Sequence, residues 1–182
     1  MKRIGHLLVA NPSIIGDMSF NRSVILMVDQ SNSGTIGFIV NKPLEYTIDD
    51  LIPDIEANHT IYFGGPVEQD NLYFVHNVPD LIPESIPIAN GLFWGGDFQQ
   101  TKILLNEGKL NHDQIRFFLG YTGWDAEQLE NEISNDSWNL VKNDFNERIL
   151  AVETKTIWKN KMIAFGGEFS LFANAPENPV LN

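Results

Sequence analysis

Short apolar runs separated by polar turns dominate the first third of the chain. Residues 24–28 are apolar at every position, which is typical of a strand that is covered on both faces. A second apolar run, residues 35–41, follows the small polar linker 30–34. Gly34 can adopt a positive φ, so the two runs predict a β-hairpin.

Further strands are predicted wherever an apolar run is bounded by glycine, proline or asparagine. They cover residues 4–10, 59–63, 71–76, 88–94 and 115–121, with two short strands at 138–141 and 149–153. Both faces of the run 115–121 are largely apolar, which places it centrally in the predicted sheet.

Helix starts are marked by residues that cap free backbone N–H groups. They are Thr47, Asp97 and Asp125, and a last helix is predicted to begin at Thr154. Strands and helices do not alternate regularly, and no internal repeat is present. The pattern therefore predicts an α+β fold and not a doubly wound parallel sheet.

The corner after the central strand joins two glycines to two large aromatic residues. Gly120 and Gly123 allow the chain to bend beneath Tyr121 and Trp124. Each ring has an apolar body and a polar tip, which suits a fold anchor and also a ligand or partner surface. Both interpretations stay open, with anchoring favoured.

Length and composition predict one domain. A chain of 182 residues can bury roughly 70% of the surface that its unfolded form exposes. We expect a single domain over residues 1–168, followed by a Pro- and Asn-rich tail over residues 169–182 that lies on the surface or is flexible.

The net charge of −12 argues against polyanionic partners such as duplex DNA or an anionic membrane surface. Such a partner would need a local basic patch, and the sequence indicates none. Lys155, Lys159 and Lys161 come closest, but Glu153 precedes them and they predict the solvated side of a helix.

Cysteine is absent, which excludes disulfides, thiolate nucleophiles, zinc fingers and iron–sulfur clusters. The N-terminal apolar run is interrupted by His6 and ended by Asn11 and Pro12, so it predicts a first β-strand and not a signal peptide. No run approaches the ~20 apolar residues of a membrane span. The expected location is the cytoplasm.

Five segments in order are similar to one known family. They are GHLLVANP, FNRSVILMVD with GTIGFIVNKPL, YFGGPVEQDNLYFVH, the helix start GGDF, and RFFLGYTGWDAEQLENEISNDSW. Together they resemble the YqgE/AlgH family of bacterial proteins over nearly the whole chain. The C-terminal ~40 residues match least well.

The resemblance implies a branched, mixed β-sheet that curls into a small barrel, with helices covering its outside. It implies no established chemistry and supplies no catalytic residues. The family is labelled as transcriptional regulators, a name taken from the link of one member to alginate expression.

Glycine pairs offer the first candidates for binding. The strongest arrangement is Gly95-Gly96-Asp97, which leads into a helix whose free N–H groups can bind an anion. Asp97, however, places a carboxylate where a phosphate would lie, and no phosphate-loop motif occurs. Gly64, Gly65 and Asp97 are kept as ligand-binding candidates, although tight turns and helix capping explain them more simply.

Catalytic and metal motifs are not found in the sequence. No histidine falls in a short metal-ligand spacing, and no GxSxG motif presents a serine nucleophile. We therefore expect no metal and no cofactor, assign no catalytic residue, and favour a protein that is not an enzyme.

Arg22 and Asn41 mark one end of the predicted hairpin. A guanidinium at the start of an apolar strand needs acceptors, and Asp17 or Glu45 could form an internal ion pair with it. The alternative is a small anionic ligand at that end of the sheet. Arg22, Asn41, Tyr121 and Trp124 complete the candidate ligand-binding residues.

Three functional hypotheses follow. The first is a non-catalytic regulatory or adaptor protein that acts through protein partners and affects transcription only indirectly, without binding DNA. The second is a protein or enzyme that binds a small metabolite in a polar pocket near Arg22 and Asn41. The third is a homo-oligomer whose exposed aromatic residues pair subunits.

Overall fold

A computed structural model describes residues 3–14 and 16–176 of the chain. The strands are β1 (Leu7–Ala10), β2 (Val24–Ser31), β3 (Gly34–Ile39), β4 (Pro43–Thr47), β5 (Thr60–Phe63), β6 (Val67–His76), β7 (Ile86–Pro87), β8 (Phe93–Trp94), β9 (Ile115–Trp124) and β10 (Trp138–Val141). The α-helices are α1 (Ile48–Leu51), α2 (Phe98–Asn106), α3 (Ala126–Ser134), α4 (Thr154–Phe165) and α5 (Gly167–Phe172). This is the predicted α+β composition.

The sheet branches at β9. Its main path runs β10-β1-β2-β3-β9-β6-β8-β7, and β4 pairs with β5 off this path. The C-terminal part of β9 pairs with β3, whereas Phe117–Leu119 pairs in parallel with β5; β6 covers the opposite edge. The other strand pairs are antiparallel, so the sheet is mixed.

Glycines permit the close approach at this branch. A Cβ atom added to Gly64 would lie 2.2 Å from the carbonyl oxygen of Gly120, and Gly120 itself has φ 69°. A Cβ atom on Gly65 would lie 2.2 Å from the backbone of Tyr121. No larger residue fits this space, so the three glycines allow β9 to change partners along one edge.

The predicted barrel is not observed. Within residues 3–14 and 16–176 the main path of the sheet has two ends, at β10 and β7, and does not close. The path ends in the two-residue strand β7, where Pro87 has no N–H to donate to a further strand.

Both faces of β2 are buried, as the continuous apolar run predicted. Leu26 and its alternate neighbours join the cluster that α4 covers through Trp158 and Met162. Ile25 and Met27 face the opposite cluster, which contains Leu129 of α3. The sheet therefore lies between helices on its two faces.

Several local predictions are confirmed. The hairpin of β2 and β3 turns through residues 32 and 33, and Asp97 accepts a hydrogen bond from the backbone N of Gln100 at the start of α2. The side chains of Asp125 and Gln128 form a capping box at the start of α3. The first apolar run forms β1.

Two predicted strands are corrected. Residues 149–153 were expected to form a strand, but a 3₁₀ helix occupies Asn146–Leu150, because Asn146 has a positive φ of 53° and Ile149 and Leu150 turn into the core. The strand predicted at 88–94 is reduced to Phe93–Trp94.

The predicted tail begins inside α5, and Ala173 packs into the core; residues 177–182 lie outside the described residues. Within the described part of the chain, no helix has the length and apolar character needed to cross a bilayer.

Candidate functional site: a basic cleft

A cleft of about 1140 Å³ lies where the open end of the β2–β3 hairpin meets the start of α4 and the segment after α5. We call it the basic cleft. Its lining consists of Met18, Asn21, Arg22, Asn41, Lys42, Pro43, Thr154, Lys155, Trp158, Lys159 and residues 173–176. Two of the predicted site residues, Arg22 and Asn41, are thus brought together.

Asn41 holds the two ends of the hairpin together. Its Oδ1 accepts a hydrogen bond from the backbone N of Val24 at 2.8 Å, and its Nδ2 donates to the carbonyl oxygen of Arg22 at 2.9 Å. Arg22 has a positive φ of 55°, a strained conformation for a non-glycine residue. The Asn41 side chain therefore sets the backbone from which Arg22 enters the cleft.

The Arg22 guanidinium connects α4 to the C-terminal segment. Its Cζ lies 4.9 Å from the centroid of the Trp158 ring. Its Nη2 donates to the carbonyl oxygens of Ala175 at 2.7 Å and Pro176 at 3.0 Å. Both of these acceptors are backbone carbonyls, whereas the sequence suggested carboxylates at Asp17 or Glu45.

Lys42 fixes another wall of the cleft. Its Nζ donates to the carbonyl oxygens of Met18 at 3.0 Å and Ser19 at 2.8 Å. The loop before β2 is thereby tied to the end of β3.

The charge of the cleft is opposite to that of the chain. Four of the chain's 12 lysine and arginine residues line it, namely Arg22, Lys42, Lys155 and Lys159. Among the described residues, no aspartate or glutamate lines it. In a chain with a net charge of −12, this arrangement concentrates a positive potential that attracts anions.

This cleft corrects the expectation that no basic patch exists. The sequence reading grouped Lys155 and Lys159 with Lys161, but the structure separates Lys161 from them. Lys161 is buried, and its Nζ lies 2.5 Å from Asp144 Oδ1 and 4.7 Å from the centroid of the Phe145 ring. Lys155 and Lys159 are one helical turn apart. They line the cleft together with Arg22 and Lys42, which come from the open end of the β2–β3 hairpin.

The predicted glycines and Asp97 lie outside the basic cleft. Gly64 and Gly65 are buried against β9, and Asp97 uses its carboxylate to cap α2.

Tyr121 and Trp124 also lie outside the basic cleft, beside a separate cleft of about 310 Å³ at the turn end of the hairpin. Trp124 is 5% exposed, and its Nε1 donates to Glu132 Oε2 at 2.8 Å. Tyr121 packs edge-to-face on Tyr73, with ring centroids 5.7 Å apart. These contacts agree with the anchoring interpretation.

Sequence reasoning did not assign Lys42, Lys155 or Lys159 to this site, and it grouped Trp158 with Tyr121 and Trp124. The spacing of the two lysines on one face of α4, next to a tryptophan, was a usable signal.

Chemically, the cleft offers cationic and amide donors. No carboxylate or imidazole lines it among the described residues, and that part of the chain contains no cluster of three metal-binding side chains.

Fold and cleft together define an α+β protein with an open, branched sheet and a cationic cleft at one end. The AlgH-like family model, DUF179, matches residues 7–170. The chain therefore belongs to the AlgH-like family, as the five ordered segments predicted.

Curated relatives match over almost their whole length. A UPF0301 protein of Chlorobium limicola is 39% identical over 181 residues, covering 99% of this chain and 96% of that protein. A UPF0301 protein of Chlorobaculum parvum is 37% identical over 183 residues, covering 100% of this chain and 97% of that protein.

Two solved structures share the fold. A crystal structure of a protein from Corynebacterium diphtheriae superposes with a TM-score of 0.70 at 23% identity, covering 96% of this chain and 93% of the other. The solution structure of the AlgH protein from Pseudomonas aeruginosa gives a TM-score of 0.69 at 23% identity, covering 94% and 93%.

Proposed function

We propose that this AlgH-like protein acts by binding and that its ligand is a small polyvalent anion held in the basic cleft. The observation that carries the proposal is the grouping of four cationic side chains, two of them the neighbouring Lys155 and Lys159 of α4, at one cleft of a strongly acidic chain. An anion in this cleft gains favourable electrostatic energy from the four cations, whereas the net negative charge of the chain repels it elsewhere on average.

The cleft favours a metabolite-sized ligand. Pockets for small molecules typically enclose roughly 300–1,000 Å³, and this open cleft, at about 1140 Å³, is slightly larger than that range. Lysine ammonium groups act as mobile point charges, which suit phosphate and carboxylate groups of varied geometry. Nucleotides, sugar phosphates and organic polyacids are the ligand classes with this chemistry.

Binding is favoured over catalysis because of the kind of groups that line the cleft. A general base must be able to accept a proton near neutral pH, and histidine or a carboxylate usually fills that part. The lining described above consists of cations, amides, one threonine and apolar groups. Such a set can orient and neutralise an anion.

Calorimetric titration with citrate, pyrophosphate and ATP tests the proposal. We expect at least one of them to bind and the affinity to fall with added salt, because exposed charge pairs are screened. The variant Lys155→Gln/Lys159→Gln should bind about tenfold more weakly, since each exposed charge contributes roughly 0.5–1 kcal/mol.

The matched control removes two lysines outside the cleft, Lys102 and Lys109. These residues pair with Asp54 and Glu107. Lys102→Gln/Lys109→Gln should bind as the parent does. An equal loss in both double variants, or no binding of any probe, would remove the proposal.

A second candidate is the regulatory or adaptor protein that acts through protein partners. It is favoured by exposed apolar side chains on the adjacent helices α4 and α5: Ile163 is 50% exposed, Leu171 74% and Phe172 41%. Monomeric soluble proteins rarely expose large contiguous apolar surfaces. Indirect regulation of transcription, homo-oligomerisation and a cytoplasmic location stay predictions.

Native co-purification distinguishes this candidate from ligand binding alone. A partner that is captured by the parent and by Lys155→Gln/Lys159→Gln, but lost with Leu171→Asp, would support the adaptor. Ile103→Asp on α2 is the control, because Ile103 is also 50% exposed. Salt-sensitive, sequence-specific binding of duplex DNA in a gel-shift assay would replace the indirect route with a direct one.

A further inference from the structure

A second polar pocket, of about 290 Å³, lies next to the basic cleft and shares only Thr154 with it among the lining residues. We call it the histidine–arginine pocket. Its chemically active lining residues are His59, Tyr62, His112, Asp113, Arg116 and Glu153. None of these residues was a candidate in the sequence, and none is used in the proposed function.

Arg116 forms the cationic floor of this pocket. It is 6% exposed, and its Nη1 and Nη2 donate to the carbonyl oxygens of Val40 at 2.8 Å and Leu150 at 2.5 Å. Its Cζ lies 4.4 Å from the centroid of the Tyr62 ring. No carboxylate forms an ion pair with it among the described residues.

The unpaired charge of Arg116 is unusual for a buried guanidinium. Burial lowers the pKa of Arg116 against the opposing influence of Tyr62 and Asp113, yet arginine stays protonated in proteins. A buried charge without a counter-ion is costly, and a bound anion would provide one.

His59 supplies a second unsatisfied polar group. It is 6% exposed, and within the described chain neither Nδ1 nor Nε2 has a hydrogen-bond partner. Burial lowers the pKa of His59, and the neighbouring His112 lowers it further. The backbone of Asn111 and Leu110 acts in the opposite direction, but it forms no hydrogen bond with Nδ1 or Nε2. A neutral imidazole therefore keeps one donor and one acceptor unused.

His112 covers His59. The two rings stack with centroids 4.3 Å apart and an interplanar angle of 27°. His112 is exposed whereas His59 is buried, so His112 can turn aside without unpacking the core. Because the nitrogen atoms of His59 are buried, contact between them and a ligand requires a movement of this kind.

The rim of the pocket has the opposite charge to its floor. Asp113 and Glu153 line the pocket and are both exposed. Glu153 Oε1 accepts a hydrogen bond from the backbone N of Lys155, and its Oε2 is left to meet another donor. A simple anion would be attracted by Arg116 and repelled by this rim, whereas a molecule with both charges would match floor and rim.

We propose that the histidine–arginine pocket binds a small zwitterion of the α-amino-acid class. Its carboxylate lies toward Arg116 and His59, and its ammonium lies toward Asp113 and Glu153. The volume suits a molecule of this size. The site is independent of the basic cleft, and a ligand of zero net charge keeps the two sites experimentally separate.

NMR titration of the full chain with L-alanine, acetate, ethylamine and inorganic phosphate tests the proposal. We expect the ring signals of His59 and His112 to shift with L-alanine, which should bind about tenfold more tightly than acetate, ethylamine or phosphate, because only L-alanine pairs with both charges. Acetate or phosphate binding as tightly as L-alanine, or no response to L-alanine, would overturn it.

Variants assign the two ends of the ligand. Asp113→Asn/Glu153→Gln changes only exposed groups and should lower L-alanine affinity to within about threefold of acetate, because the ammonium loses its partners. Arg116→Lys should weaken the binding of L-alanine and of acetate together, provided that its thermal unfolding matches the parent.

The control is Lys155→Gln/Lys159→Gln, which should bind L-alanine as the parent does, even if it loses anion binding in the basic cleft. An unchanged preference for L-alanine in Asp113→Asn/Glu153→Gln would contradict the orientation and the proposal.

Discussion

Arg22 and Arg116 are chemically alike but occupy opposite environments. Each guanidinium lies over an aromatic ring, Trp158 for Arg22 and Tyr62 for Arg116, and each donates to two backbone carbonyls. Arg22 is half-buried at the wall of an open cleft, whereas Arg116 is 6% exposed inside the fold. The same set of contacts thus serves a solvated charge in one region and a dehydrated charge in the other.

The contacts of an arginine alone do not determine how much it contributes to stability, because its exposure to water also matters. Near water the charge is screened by salt and its hydrogen bonds compete with solvent, so the net contribution to stability is small. Inside the fold, each carbonyl that loses its donor stays unsatisfied and its desolvation is not recovered. We therefore expect Arg116 to matter most for folding and the basic cleft to matter most for binding.

The largest expected effect separates the two arginines directly. Arg116→Met should lower the free energy of unfolding by about 2–4 kcal/mol, because two buried carbonyls lose their donor. Arg22→Met should lower the free energy of unfolding by less than about 1 kcal/mol, because water in the cleft can donate hydrogen bonds to the two carbonyls that lose the guanidinium. Urea unfolding of both variants measures the difference. Equal losses would show that burial does not distinguish the two sites.

A middle effect is expected at Asn41, which supports Arg22. Asn41→Ala removes one acceptor and one donor at the hairpin end and should cost about 1–2 kcal/mol. It should also weaken anion binding in the basic cleft, because the backbone of Arg22 is no longer fixed. Asn21→Ala is the control, since Asn21 lines the same cleft without a side-chain hydrogen bond to the described residues. A loss of affinity in both variants would assign the effect to the cleft surface in general.

A pH effect is expected in the histidine–arginine pocket and not in the basic cleft. Burial lowers the pKa of His59 in the folded chain below the ordinary histidine value of 6.5. As the pH falls below 6.5, His59 therefore binds a proton in the unfolded chain before it does so in the folded chain. Stability should therefore fall from about pH 7.5 to about pH 5.5. The other ionisable groups lining this pocket are Tyr62, His112, Asp113, Arg116 and Glu153.

His59→Phe is the variant that sharpens this test. It keeps an aromatic ring against His112 and removes the titrating group, so the loss of stability on acidification should be smaller than in the parent. Some loss should stay, because burial also lowers the pKa of His76. Thermal unfolding should be measured above about pH 5, where the lowered carboxyl pKa values of Asp54, Glu68 and Asp144 do not contribute. An unchanged slope in the variant would exclude His59 as a source of the pH dependence.

The smallest expected effect concerns the stability of the lysine variant of the basic cleft. Lys155→Gln/Lys159→Gln should change the free energy of unfolding by less than about 0.5 kcal/mol, because both side chains are at least partly exposed and neither forms an ion pair among the described residues. Its anion affinity should nevertheless fall, as described above. A large loss of stability would show that these lysines support the fold, and would weaken their assignment to binding.

Local pattern was sufficient to predict much of the fold. Continuous burial of β2, the hairpin that follows it, and the caps at Asp97 and Asp125 each depend on a few neighbouring residues. Closure of the sheet into a barrel was expected from the family resemblance and is not observed. Closure requires distant edge strands to pair with each other, and the sheet ends instead at β7, where Pro87 has no N–H to donate. The 3₁₀ helix at Asn146–Leu150 was mistaken for a strand because a short apolar run fits both.

The two candidate sites differ in how far the sequence could reveal them. The basic cleft joins cations from the hairpin and from α4, and no local spacing links those positions. Arg116 left a clearer signal, since a single charge interrupts the apolar strand β9 and a buried guanidinium must find acceptors. The pairing of His59 with His112 required the fold, because the two residues lie on separate segments.

The branch at β9 has a consequence for how the protein is made. Residues 115–124 supply the missing neighbour of β3, β5 and β6, yet they are synthesised after all three. Until this segment leaves the ribosome, each of those strands keeps one open edge that can pair with another chain. Nascent chains of this protein should therefore depend on chaperone protection until β9 emerges, and translation stalled before Ile115 should yield aggregates.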